Sequence, residues 1–384
     1  MSPTFYLVGG AVRDLLLGDN PKDKDYVVVG ATPDWMISRG FTQVGASFPV
    51  FLHQNGDEYA LARTERKTAP GYHGFMTTFD PTITIEDDLA RRDLTINSMA
   101  IMVDPDTLEP FVLEDNSELV NYMIIDPFNG QADLRDRILR HTTEAFADDP
   151  LRVLRLARFA ARYNFKVAPE TIEFACKLSA AREYEHLSTE RIWTELMKGF
   201  GEKYAYRMLE VLDETHALTS RPINSFFEGD VSLLVEILKS SIGSKYSPIT
   251  KAIIGMNRIP FMNIKEIASL SIPTNVAPAA RYANQHCLMA NKPIGPDEAL
   301  QLVDAEHKLS EERRQDALAA AWIRQVLISD TFFFKNSETL ALVKNGLKKL
   351  DLKVVADSGP TVGIRERIYA ARLEVAKYWT DEAQ

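Results

Sequence analysis

Cysteine is almost missing from this chain of 384 residues, which carries only Cys176 and Cys287. Two distant thiols build neither a disulfide framework nor a cysteine metal site, and such sparing use fits a reducing compartment. Long hydrophobic runs are missing too. No apolar stretch approaches the ~18 residues that a membrane helix needs, so no membrane partner is expected. The opening MSPTFYLVGG lacks the basic flank of a secretory signal. The cytoplasm is therefore the expected location. Nor is there an excess of positive charge: 44 Lys and Arg against 54 Asp and Glu leave a net charge of −10. That disfavours a protein coated in nucleic acid by bulk charge, while leaving local basic faces open. Internal repeats and low-complexity tracts are absent.

What is present changes character near residue 140. Before it, short β-branched and aromatic runs predict strands over Phe5–Val8, Tyr26–Val29, Val50–His53 and Tyr59–Ala62, with helices over Ala11–Leu17 and Pro33–Arg39. After it, helical periodicity dominates, over Asp149–Tyr163, Pro169–Ala180, Thr189–Lys198 and Ala205–Leu212. The expected fold class is α+β: a small mixed α/β head, then an all-helical neck and body. The expected domains are 1–140, with an insertion at about 103–126, then 141–210 and 211–384. Thr64–Asp88 is polar, dotted with Gly and Pro, and long enough to be either functional or disordered.

Two early motifs point to phosphate chemistry. In LVGGAVRD a strand runs through Gly9 and Gly10 into a helix bearing Arg13. Glycine lets backbone approach a phosphate, helix amides donate to it, and an arginine adds a fork of donors. Taken alone, these residues also read as a plain tight turn with a solvated arginine, because short glycine motifs are weak evidence. In KDKDYVVV, Asp23 and Asp25 fall on one face of an extended segment. Paired carboxylates are common on surface turns, but beside a phosphate cradle they suit Mg²⁺, which takes oxygen ligands and substrate phosphates. Glu58, opening the Tyr59–Ala62 strand, is a candidate third carboxylate. Together these features indicate phosphoryl or nucleotidyl transfer.

A third motif, RRDLTIN at 91–97, places charged residues around a buried segment. The fourth begins with Asp149 as N-cap and Pro150 at the first helical position. Arg152, Arg155, Arg158 and Arg162 then share one helix face, opposite Val153, Leu154, Leu156, Ala157, Ala160 and Ala161. A solvated basic face is one reading of this ladder. A carboxylate beside an arginine has another use. Cytosine and adenine each present an amine donor next to a ring-nitrogen acceptor, whereas uracil and guanine reverse the pattern. Asp149 with Arg152 would complement the first pair and leave buried groups unpaired against the second.

In this order, LVGGAVRDLLLG, KDKDYVVVG, RRDLTINSMA and DDPLRVLRLARFAARY resemble the class II CCA-adding tRNA nucleotidyltransferases of the polymerase β superfamily, over roughly residues 5–200. The resemblance implies a nucleotidyltransferase head, a nucleobase-selecting neck and a tRNA-binding body. It implies untemplated addition of C, C and A to tRNA from CTP and ATP. It places Gly10, Arg13, Arg92, Asp149, Arg152, Arg155 and Arg158 on the nucleotide and Asp23 and Asp25 on the metals, with Asp93 and Asn97 in supporting roles. Asp148 stands where the family usually has Glu. TERIW at 189–193 resembles the start of a structural neck helix, and residues 363–379 resemble the family's final helix. Bacterial poly(A) polymerase is the nearest rival, but its basic segment after the second motif is replaced here by QVGASFPV. Enzymes adding only CC or only A, and an inactive head that binds RNA, are further alternatives. Many relatives carry a phosphohydrolase marked by His-Asp; none of the seven histidines here precedes an aspartate, so that activity is not expected.

Overall fold

The alternating runs before residue 140 assemble into one mixed sheet. A computed structural model describes residues 2–21, 23–44, 50–53, 56–67, 75–111, 122–227, 231–240, 246–255, 269–288, 294–328, 340–345, 347–353, 358 and 364–382. In chain order come β1 (Thr4–Val8), α1 (Gly10–Leu16), β2 (Asp25–Val29), α2 (Pro33–Ser38), β3 (Thr42–Val44), β4 (Val50–Leu52) and β5 (Glu58–Leu61). They are followed by β6 (Arg63–Lys67), β7 (Phe75–Phe79), α3 (Ile85–Ala90), β8 (Ala100–Val103) and β9 (Ile124–Ile125). Seven strands form a sheet in the order β3-β4-β5-β2-β1-β8-β9. β2 pairs parallel with β5 and antiparallel with β1.

Period-two patterning divides the strand side chains between the sheet faces. Tyr6, Val8, Val27 and Ala100 pack with Ile83, Ile85 and Leu89 into one core. Tyr26 and Tyr59, register partners on β2 and β5, stack with centroids 4.8 Å apart. Each fully buried large side chain contributes about 1.5–3 kcal/mol, and Tyr59, Phe51 and Leu89 are among them.

Helices then take over: α4 (Gly130–Asp136), α5 (Leu151–Tyr163), α6 (Pro169–Ala180), α7 (Thr189–Gly201) and α8 (Ala205–Glu214). α5 buries Val153, Leu154, Leu156, Ala157, Ala160 and Ala161, the face expected to pack, and lies along α8. One short pairing interrupts the helices: β10 (Ile138–Leu139) takes β11 (Lys166–Val167) in parallel. The mixed head and the helical remainder have the expected character.

The chain divides into two compact units, Met1–Glu195 with Glu202–Ile223, and Leu196–Gly201 with Asn224–Gln384. The second holds α9 (Ser232–Lys239), α10 (Pro248–Gly255) and helices over Val276–Leu288, Pro296–His307, Glu311–Ile328 and Ile364–Glu382. Several buried polar groups among its described residues find partners within the unit. Asp316 accepts from Ser247 and Thr250, and Lys251 Nζ caps the end of α7 by donating to Phe200 O at 2.8 Å. Burial lowers the pKa of that ammonium.

Thr64–Asp88, expected to be either functional or disordered, carries regular structure in part. Its ends carry the antiparallel hairpin β6–β7 and the start of α3, with Arg63 opposite Phe79. The hairpin forms its own two-stranded sheet, so no apolar alternation against a core marked it. Residues 68–74 lie outside the described residues, as do 112–121 of the expected insertion and 45–49 of QVGASFPV.

Candidate active site

The strand-to-helix turn ends β1 at Val8 and opens α1 at Gly10. Gly9 between them has φ +69, in the left-handed region where glycine alone is unstrained. Its N–H donates to Met99 O at 3.2 Å. A Cβ on Gly9 would stand 2.8 Å from Nη1 of Arg92, so the missing side chain is what lets a guanidinium lie against the turn. The two-glycine signal was legible in the sequence, but the constrained member is Gly9, while Gly10 begins the helix.

Beside this turn the register collects carboxylates. Asp25, first residue of β2, pairs with Val8 on one side and with Glu58 of β5 on the other. Register partners project to the same face, so Asp25 and Glu58 share one. A cavity of about 250 Å³ is lined by both, together with Val8, Arg63, Arg91 and Arg92. Asp23 lies in the bend ahead of β2, exposed. Asp25 has solvent-exposed area, yet its pKa is raised: dehydration by the surrounding sheet leads, Arg92 opposes it and Asp23 adds like-charge repulsion.

These residues fit a divalent cation. No group of three or more His, Cys, Asp or Glu suited to a metal is found among the described residues. A hard cation that completes its shell from substrate phosphates and water needs fewer protein ligands. Asp23 and Asp25 are oxygen donors whose mutual repulsion a cation relieves, and Glu58 stands alongside.

The arginines of the RRD segment face this group. Asp88, fully buried, takes Arg91 at 2.6 Å and Arg92 at 3.1 Å. Burial presses its carboxyl upward, but the two guanidinium charges outweigh that and leave its pKa lowered. Arg92 Nε is buried without a hydrogen-bond partner among the described residues. The residue itself lines the cavity.

The other expected site residues are held by the protein itself. Arg13 is buried, donates to Asn97 Oδ1 at 2.5 Å and to Asp14 Oδ1 at 2.7 Å, and lies over Phe159 and Tyr163. Arg155 joins Asp93 through two 2.7 Å contacts, and Asn97 Nδ2 donates to the same carboxylate at 3.0 Å. Burial alone would raise the Asp93 pKa; the Arg155 charge, these hydrogen bonds and Arg152 bring it down to about 2. Arg158 donates to Glu195 at 2.7 Å, and both side chains are largely buried. Arg162 lies 3.6 Å from Asp14. Every ladder arginine therefore has a protein contact, rather than facing water alone.

The helix begins one residue later than expected, so Asp149 stands just outside the cap position, its Oδ1 accepting Leu151 N–H at 3.2 Å. Pro150 takes the half-in position before α5. The same carboxylate receives the fork of Arg191, Nη2 to Oδ2 at 2.7 Å and Nη1 to Oδ1 at 3.3 Å. Arg152 reaches back to the head, donating to the carbonyls of Arg91 at 2.6 Å, Ala145 at 2.8 Å and Arg92 at 3.4 Å. Sequence reading missed Arg63, Arg91 and Arg191 as parts of this assembly. Arg91 adjoins Arg92 and pairs locally with Asp88, whereas Arg191 falls in the TERIW stretch and its partner Asp149 lies 42 residues away.

Residues 5–140 match a family model described as the Poly A polymerase head domain. Residues 164–220 match one described as the probable RNA and SrmB-binding site of polymerase A. A curated relative from Paraburkholderia phytofirmans, named Multifunctional CCA protein, is 54% identical over 216 residues, which are 56% of this chain and 50% of its own. This chain thus spans about half the length of the curated relatives it matches. Among solved structures, a CCA-adding enzyme in complex with ATP is 20% identical with a TM-score of 0.65, over 97% of this chain and 86% of its own. A Thermotoga maritima CCA-adding enzyme complexed with tRNA is likewise 20% identical with a TM-score of 0.65, over 99% of this chain and 90% of its own. At such identity the likeness carries the fold.

Proposed function

Residues 5–140 of this chain belong to the poly A polymerase head-domain family, and from that premise we propose that it adds C, C and A to the 3′ end of tRNA. CTP and ATP are the substrates, and pyrophosphate leaves as each tRNA 3′ hydroxyl joins an α-phosphorus. The observation that carries this reading is one cavity holding Asp25 and Glu58 in register beside the Gly9 turn and Arg92. Asp23 and Asp25 would hold Mg²⁺, with Glu58 adjacent. When bound, the ion supplies positive charge for the attacking and leaving oxygens. Arg92, with its uncommitted Nε, binds the triphosphate, while α1 presents backbone amides toward it. Arg13, Arg155 and Arg158 act mainly by positioning: they lock the RRD segment and α7 against α5.

Base choice falls to Asp149 and Arg152. A carboxylate oxygen has two lone pairs. Oδ2 of Asp149 spends one on Arg191, which orients it and leaves an acceptor for the amine of cytosine or adenine. Arg152 serves as the donor toward the ring nitrogen while it ties the base-reading helix to the RRD carbonyls. The work of tRNA binding is assigned to the helices beyond residue 210, and the cytoplasm is the location this activity requires.

A second reading, poly(A) polymerase, has the description of the matched family model in its favour. One assay separates the readings: the full chain is given tRNA lacking its CCA end, with each labelled nucleotide separately and together. Ordered incorporation of C, C and A supports the proposal. Long ATP-only extension supports polyadenylation, CC or A alone a partial enzyme, and no incorporation an RNA-binding head. In the same assay Asp149→Ala is expected to raise UTP and GTP use relative to CTP and ATP. Loss of the Leu151 contact alone would cost ~1 kcal/mol of stability with an unchanged CTP:UTP ratio in kcat/KM. That outcome would sink the base-reading role.

A further inference from the structure

A second cavity in the head, of about 700 Å³, opens beside α2. Tyr59 lines both this cavity and the carboxylate cavity. The volume is that of a small-molecule site, and nothing in the proposed transfer reaction uses it. Its wall is aromatic. Trp35 projects from α2, while Phe41 packs against His53 at 4.8 Å and Tyr59 at 4.9 Å between centroids.

The polar groups at this wall are few and distinctive. Arg39 places its guanidinium carbon 5.1 Å from the centre of the Trp35 ring. It makes no ion pair among the described residues. His53 Nδ1 is buried with no hydrogen-bond partner among them. Asp106 contributes a carboxylate to the lining. Aromatic rings offer stacking faces to a planar base. An unpaired guanidinium offers a fork to an anion, and a carboxylate accepts from an amine.

We propose that this cavity is a second binding site, separate from the transfer site, for a nucleotide. The base lies against Trp35 and Phe41, the phosphate meets Arg39, and an exocyclic amine meets Asp106. Free mononucleotide and an unpaired nucleotide of RNA share this chemistry, so the test carries an arm for each.

The test labels the full chain with 5-fluorotryptophan and assigns the Trp35 resonance among the four tryptophans with Trp35→Phe. AMP and, separately, a five-residue adenylate oligonucleotide are titrated by ¹⁹F NMR, with adenosine and inorganic phosphate as half-ligands. The Trp35 resonance is expected to shift saturably with AMP or the oligonucleotide, and at higher concentration with either half-ligand. Tighter binding of AMP points to free nucleotide and tighter binding of the oligonucleotide to RNA; either supports the site. Arg39→Ala is expected to weaken binding about tenfold while its nucleotidyl transfer and melting temperature stay unchanged. Arg92→Ala should leave the shift intact. A Trp35 resonance that does not move, that moves equally in Arg39→Ala, or that stops moving in Arg92→Ala would overturn the proposal.

Discussion

Asp25 and Asp93 are both aspartates of the head with arginines near them, and their carboxyl groups are driven in opposite directions. At Asp25 dehydration and the like charge of Asp23 prevail over Arg92, and the pKa rises. At Asp93 Arg155, Asn97 and Arg152 prevail over complete burial, and the pKa falls to about 2. The second carboxylate is matched by protein groups; the first is left short of positive charge. That difference separates a carboxylate left available to a ligand, as the proposed function requires, from one matched within the fold. The four arginines of α5 stand with Asp93: the ladder face meets Asp93, Glu195, Asp14 and backbone carbonyls.

The largest expected effect lies on the under-compensated side. Asp25→Ala removes a proposed metal ligand and should lower transfer by at least about 10³-fold, the scale of several kcal/mol of transition-state stabilisation. It should leave the melting temperature unchanged or slightly higher, because it also removes a repulsion. Turnover near wild type at saturating Mg²⁺ would contradict the assignment.

On the compensated side the effect moves to stability. Asp93→Ala leaves Arg155 partly buried without its partner and should cost about 3–5 kcal/mol, read by denaturant unfolding. The same pair sets a pH dependence. A carboxyl depressed from its ordinary value to about 2 in the fold stabilises the native state fully above the unfolded pKa of about 4. Its contribution, of order 2–3 kcal/mol, fades as pH falls from about 5 through 2. The acid limb of the stability curve should therefore flatten in Asp93→Asn. A limb unchanged in that variant would place the acid sensitivity elsewhere.

The smallest effect belongs to Arg162, whose 3.6 Å approach to Asp14 is the loosest ion pair of the ladder. Its side chain is more than a third exposed. Arg162→Ala should cost no more than about 1 kcal/mol and leave transfer intact. A loss as large as that of Asp93→Ala would erase the distinction between the ladder's inner and outer arginines.

Much of this was legible before the structure. The strands around β1, β2, β4 and β5 fall within a residue of expectation, and α6 runs over the expected Pro169–Ala180. The reason is local: alternation and 3.6-residue periodicity are set by which neighbours along the chain are apolar. The same rule put the four arginines on one face of α5. The β6–β7 hairpin escaped because its strands pair with each other, outside the main sheet.

Motif spacing also carried the types of chemistry: glycines at a strand-to-helix turn, carboxylates at a strand mouth, arginines on a helix face. It did not carry their partners. Arg13 meets Asn97 across 84 residues, Arg155 meets Asp93 across 62, and Asp149 meets Arg191 across 42. A hydrogen bond between residues so far apart depends on how strands and helices stack, and no periodicity encodes it. Residue types and their faces were thus settled along the chain. Which charges are neutralised, which glycine takes the left-handed turn against Arg92, and which carboxylates gather in one cavity were settled by packing. Burial strips water from each group, and only its neighbours in space can replace that water.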